Sequence, residues 1–164
     1  MDRQQIALKL TLDCLSMPAK VTSFEDRLVL QKSVYLCQAA GVDLGYYFRW
    51  YLRGPYCSAL AADGYAVSVD LAQGNDESSN WTLDAKSRTN LDRLTSLLQA
   101  EDPRAPWLEL LASVHFLVDR NQVSTESADH ISKTLQRFGK DFTLNQVRKA
   151  LRKLREHGLL DEPE

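Results

Sequence analysis

Four groups of side chains in this sequence have the residue types and spacing to do chemistry or recognition. Cys57 follows a Gly54-Pro55-Tyr56 turn and opens a helix-forming run. A thiol there is placed where a thiolate gains stability, but nucleophilic attack also needs a positioned base. His115 and His130 are distant in sequence, so the simpler assignment for Cys57 is a small packing or capping residue. The acidic pairs Glu25-Asp26, Asp76-Glu77 and Glu101-Asp102 stand at helix starts or in loops, outside the apolar surroundings that raise a carboxyl pKa for acid–base work. The glycines never form a phosphate-cradling pattern. Residues 143–157 hold five basic residues against one acid, a local charge of +4 in a chain of formal net charge -2. Arg148, Arg152 and Arg155 form one helical stripe with Lys149 and Lys153 beside it, suited to phosphate contacts or to a solvated face near a helix C-terminus. Finally, Tyr47, Arg49, Tyr51 and Arg53 alternate along an aromatic run. They offer a flat cationic surface of the kind that anchors protein interfaces or stacks on bases.

None of these groups forms a catalytic constellation, and the bulk properties narrow the field further. The 164 residues are 44% hydrophobic and 26% charged, an ordinary globular balance. No apolar run approaches the roughly 18 residues of a spanning helix, and the polar start MDRQQIALKL does not resemble a secretory signal. Cys14, Cys37 and Cys57 are odd in number and form no CxxC pair, which argues against a disulfide framework or zinc site and fits a reducing, cytoplasmic setting. No metal or other cofactor is expected.

Helical elements must position most of these side chains. Asp2 and Gln5 predict a capped helix over residues 2–16, ended by Pro18. Thr22-Ser23 and Glu25-Asp26 open a second, over 24–40, with Leu30, Val34 and Cys37 as an apolar stripe broadened by Leu28, Tyr35 and Leu36. Tyr46 to Leu52 reads as a strand, with Tyr46, Phe48, Trp50 and Leu52 inward and Tyr47, Arg49, Tyr51 and Arg53 outward. Gly54-Pro55 breaks that strand, a short helix runs to about Ala66, and residues 71–80 read as a mobile loop. Trp81-Thr82-Leu83 is expected to return and pair with 46–52. Asp84 caps a helix to about Ala100, and 101–106 separate two helical halves, 1–100 and 107–160, of a single domain over 1–164. Trp107 to Asp119 reads as a buried helix, in which His115 is a core histidine. Ser124 is expected to cap a helix to about Phe138. Thr143 and Gln146 make a capping box for the last one, with Phe142 and Val147 as a staple and Gly158 as the stop. The fold class is mainly α with a small antiparallel β-hairpin. The last two helices resemble the helix-turn-helix half of a winged-helix domain, followed by only the acidic LLDEPE where a wing would stand.

The stretches LQKSVYLCQ at 30–38 and GYYFRWYLRGPYCSALAAD at 45–63 resemble the signature of the Panacea (SocA-like antitoxin) family and the related YwgA-like bacterial proteins. The matching residues are Leu30, Gln31, Lys32, Tyr35, Gly54, Pro55, Tyr56, Ser58, Leu60 and Asp63. Cys57 stands where that family often has serine, and Ser58 is expected to take over the capping role. The resemblance covers about residues 5–65. It implies a compact helical domain with a small sheet and no enzymatic activity. It also implies a protein partner, a toxin or defence effector encoded by a neighbouring gene, within a toxin–antitoxin or phage-defence system.

The residues themselves assign Gln31 a hydrogen bond to the backbone around the Gly-Pro turn, making the signature a folding device first. The functional expectation is therefore a non-enzymatic protein-binding module using Tyr47, Arg49, Tyr51 and Arg53. The alternatives are a nucleic-acid-binding regulator using Arg148, Lys149, Arg152 and Arg155, and an enzyme using Cys57.

Overall fold

The computed structural model describes residues 1–120 and 127–162. Its elements are α1 (Arg3–Cys14), α2 (Phe24–Ala39), β1 (Arg49–Tyr51), β2 (Gly54–Tyr56), α3 (Ser58–Ala72), a 3₁₀ turn (Glu77–Asn80), α4 (Ala85–Leu98), α5 (Arg104–Asp119), α6 (Ala128–Arg137) and α7 (Leu144–Glu156). The chain is thus mainly helical with one small antiparallel hairpin, as the sequence predicts.

Helix starts follow the local chemistry closely. Asp2 with Gln5, Ser23 with Asp26 and Thr143 with Gln146 each form a reciprocal capping box, which satisfies amides that a helix end leaves without partners. Asp84 caps α4 by accepting from the Ser87 amide. Ser127 caps α6, whereas the predicted cap Ser124 lies outside the described residues. α5 begins at Arg104, three residues before the expected Trp107; Pro106 sits within its first turn, where a missing N–H costs nothing.

Two helices organise the core. α2 packs against α3, α4, α5 and β2, and α5 packs against α2, α4, α6, α7 and β2. Every residue of α2 from Leu30 to Cys37 is buried, as is every residue of α5 from Trp107 to Leu117. One continuous apolar cluster runs from Leu8 and Leu12 of α1 to Val147, Leu151 and Leu154 of α7, so the two sequence halves share a core across residues 101–106.

Several expectations fail here. The partner of β1 is not residues 81–83 but β2, paired Arg49↔Tyr56, Trp50↔Pro55 and Tyr51↔Gly54. The turn is made by Leu52 and Arg53, and the Gly-Pro dipeptide opens the returning strand instead of ending the sheet. Proline has no N–H to give a ladder, so its pair with Trp50 must be the non-hydrogen-bonded kind, and none of the ladder is lost. Leu52, expected inward, stands in the turn and is 77% exposed. α3 runs to Ala72 because Leu60, Gly64 and Val67 keep one buried face beyond Ala66. Gly64 allows this close packing: a Cβ there would lie 2.5 Å from Leu30 Cδ2. Residues 71–80 are therefore helix end plus a 3₁₀ turn capped by Asp76, which also lies 3.8 Å from Lys9. Trp81 is exposed and outside any strand.

Candidate functional site

α2 carries a polar row, the buried Gln31 and Tyr35 and the half-buried Gln38, with the buried Lys32 beside it, at spacings that share one helix face. Each member holds a part of the chain between Tyr46 and Cys57, or the helix behind it. Gln31 clamps the Cys57 backbone: its Nε2 donates to the carbonyl at 2.8 Å and its Oε1 accepts from the amide at 2.9 Å. Gln38 does the same for Tyr46, at 2.8 and 2.9 Å. Lys32 Nζ donates to the Pro55 carbonyl at 2.7 Å. That carbonyl points away from β1, as it must at a non-hydrogen-bonded pair. The Tyr35 hydroxyl lies 2.7 Å from His115 Nδ1 on α5, and His115 also makes a backbone hydrogen bond with Leu159. Burial keeps the Tyr35 phenol protonated and pushes the His115 pKa down, so the phenol donates to a neutral imidazole. Asp63 completes the set, accepting from Tyr46 Oη at 2.8 Å and from Gln5 Nε2 at 3.1 Å.

The hairpin is held from a second side. Lys140, just after α6, donates to the Leu52 carbonyl at 3.3 Å and to Glu109 of α5 at 3.2 Å, with its ammonium 5.6 Å from the Trp50 ring centre. Burial lowers the Lys32 pKa to about 7; Glu109 opposes that shift and Lys140 adds to it. Gly54 fits here for two reasons. Its φ is +91°, and a Cβ would fall 2.5 Å from Ser113 Oγ of α5.

Gln31 and Lys32 therefore act on backbone, which bears out the expectation for Gln31, while Tyr35 and Asp63 bond side chains outside the signature. Two details differ. Ser58 does not cap α3: the N-cap is Cys57, and no side chain caps that end. The Gln31 clamp on the Cys57 backbone fixes the helix start instead. The Cys57 side chain is buried beside that clamp, and His115 is engaged by Tyr35.

Outside this scaffold, Tyr47, Arg49, Tyr51 and Arg53 are all exposed, but the structure divides them between two places. Tyr47 lies with Arg49 and Arg120, whose guanidinium carbons stand 5.6 and 5.9 Å from its ring centre. Tyr51 and Arg53 face the other way, onto a groove between the hairpin and the N-terminal half of α2. Tyr51 lies 5.5 Å from the Tyr56 ring, and Arg53 stands 5.7 Å from the ring of Phe24. The groove has a volume of about 420 Å³; Phe24, Leu28, Leu52 and Tyr56 contribute apolar walls, Arg27 and Arg53 the rim, and Lys32 part of the floor.

No family model, curated protein or solved structure matches this chain.

Phe24, Arg27 and Leu52 lie on the groove but escape a sequence reading. Phe24 precedes the stripe of α2, and Leu52 has the apolar type and parity of an inward strand residue. The basic stripe of α7 is only partly open. Lys149 pairs with Glu101 and lies over Trp107, and Arg152 and Lys153 both reach Glu156, at 3.8 and 3.2 Å. Arg148 is exposed, and Arg155 is half-buried. No strand follows α7 among the described residues. Also among the described residues, no cluster of His, Cys, Asp and Glu has a metal-binding arrangement, and no helix is long and apolar enough to cross a membrane.

Proposed function

We propose that this chain is a non-enzymatic protein-binding module, antitoxin-like or proteolytic-adaptor-like, acting in the cytoplasm within a bacterial toxin–antitoxin or phage-defence system. The observation that carries the reading is the groove beside the hairpin. Large apolar side chains gather there in the open: Phe24 is 58% exposed, Tyr51 61% and Leu52 77%. Contiguous exposure of this kind marks interaction surfaces, and tyrosine with arginine is the pairing found at their energetic centres. Gln31 and Lys32 of the signature are meanwhile occupied in holding backbone, and Tyr35 and Asp63 in bonding other side chains. The resemblance of residues 30–63 to the antitoxin signature supplies the biological setting. Tagging the chain at its native locus and purifying it tests the reading. A stoichiometric complex with a neighbouring gene's product is expected. Recovery of the free chain alone, together with a harmless deletion, would sink the proposal.

A second reading, nucleic-acid binding through α7, draws support from the exposed Arg148 and Arg152. It calls for DNA or RNA binding that weakens steeply with salt and is lost on charge reversal at Arg148, Arg152 and Arg155. Absence of a mobility shift at low salt removes it.

A further inference from the structure

The groove has a charge as well as a shape. Three cationic side chains, Arg27, Lys32 and Arg53, contribute to its lining, and among the described residues that line it there is no carboxylate. Two nearby acids are engaged elsewhere, and Glu25 of α2 is not part of the lining. Asp26 caps its own helix and lies 3.7 Å from Lys20, while Glu109 is taken by Lys140 beneath the hairpin. Lys32 uses one N–H on Pro55, which leaves donor capacity on an amine that burial has made costly to charge. A carboxylate approaching it would offset that cost.

We infer that this groove receives a segment of the partner protein that presents bulky apolar side chains flanked by aspartate or glutamate. The inference rests on the protein-binding reading and specifies the partner's chemistry. Size and charge both select a protein segment. A volume of about 420 Å³ is within the range of small-molecule sites, but a ligand filling only the interior would leave Leu52 and the outer edge of Phe24 in water. A helix laid along the groove covers both, in the manner of amphipathic helices in apolar grooves. A second copy of this chain is disfavoured, because a symmetric contact would set Arg27 and Arg53 against their own counterparts, and like charges across an interface oppose association.

The test uses the full chain panned against a phage-displayed library of random dodecapeptides, with Leu52→Glu and Arg53→Glu variants for counter-selection. Both positions are exposed, so circular dichroism and melting should match the parent. The enriched peptides are expected to combine bulky apolar residues with aspartate or glutamate. Their affinity should fall on the order of tenfold or more with either variant and hold with Arg148→Glu. Enrichment of neutral or basic peptides, no enrichment, or indifference to both variants overturns the inference. So does displacement of the peptides by dodecanoate at equal molar affinity, which would assign the groove to a small carboxylate. Dimerisation of the parent that Leu52→Glu abolishes would likewise give the groove to a second copy. The two proposals fail separately. A native complex that survives Leu52→Glu and Arg53→Glu keeps the protein-binding reading and removes the groove. Groove-dependent acidic peptides without any native complex do the reverse.

Discussion

α2 and α7 are both capped by reciprocal boxes and both lie in one apolar cluster, yet they solve different problems. α7 divides its residues simply: Val147, Ala150, Leu151 and Leu154 are buried, and none of its charged residues is. Its stability comes from one apolar stripe and its caps, as for most surface helices. α2 instead buries Gln31, Lys32, Ser33 and Tyr35 among its apolar residues. A buried polar group is costly unless it finds a partner, and three of these four have one. For Gln31 and Lys32 that partner is the backbone of a segment with only two three-residue strands of its own. The lesson is that a helix can serve as the hydrogen-bonding edge that a short, irregular stretch cannot supply for itself.

The largest effect should come from breaking the close approach beneath the hairpin. Gly54→Val places a branched side chain at φ +91° and against Ser113. The combined strain and overpacking should cost about 4 kcal/mol in urea unfolding. Gln31→Leu keeps the bulk but leaves the Cys57 amide and carbonyl without partners, and about 3 kcal/mol should be lost. A loss below that of an α7 surface change would break the comparison.

Lys32 sharpens it through pH. Unfolded, its ammonium persists to about pH 10.5; folded, only to about 7. Between those values the unfolded chain holds more protons, so the group's contribution to stability rises with pH and is lost as pH falls toward 7. Unfolding measured at pH 7 and pH 9 should therefore show the parent gaining on Lys32→Met, on the order of 1 kcal/mol per pH unit. Equal pH profiles for the two would mean that the amine is not held in a dry site. The smallest effect belongs to α7. Thr143→Ala removes one cap and should cost about 1 kcal/mol, with no change in pH dependence.

The same contrast governs what the sequence made legible. Helix starts were readable because a cap is a local pattern: Asp2 with Gln5, Thr143 with Gln146, and Asp84 all act within three residues of where they stand. The stripe of α7 was readable because its periodicity is undisturbed. The hairpin's partner strand was not. Gly54-Pro55 looks like a terminator, and only the register shows that proline falls where no N–H is needed. The extension of α3 was hidden by the polar residues after Ala72, although Val67 continues the buried face. At the candidate site, the alternation along 46–51 foretold which residues face out, but not that Tyr47 and Tyr51 look toward different neighbours. That division depends on Phe24 and Arg120, which are distant in sequence. Lys140 and Glu109 carried no local signal either, because their meaning arises only when α5, α6 and the hairpin tip meet.

The double clamp of Gln31 on Cys57, with Lys32 on Pro55, has a dynamic consequence. The groove's two walls are α2 and the hairpin, and the amide of Cys57 is shielded by a side chain of the opposite wall. That amide can exchange with solvent only when the clamp opens, so the two walls should move as one body and show similar hydrogen-exchange protection. A partner docking there meets a surface already in its final shape. Little ordering entropy then opposes association, and binding should approach a rigid-body encounter.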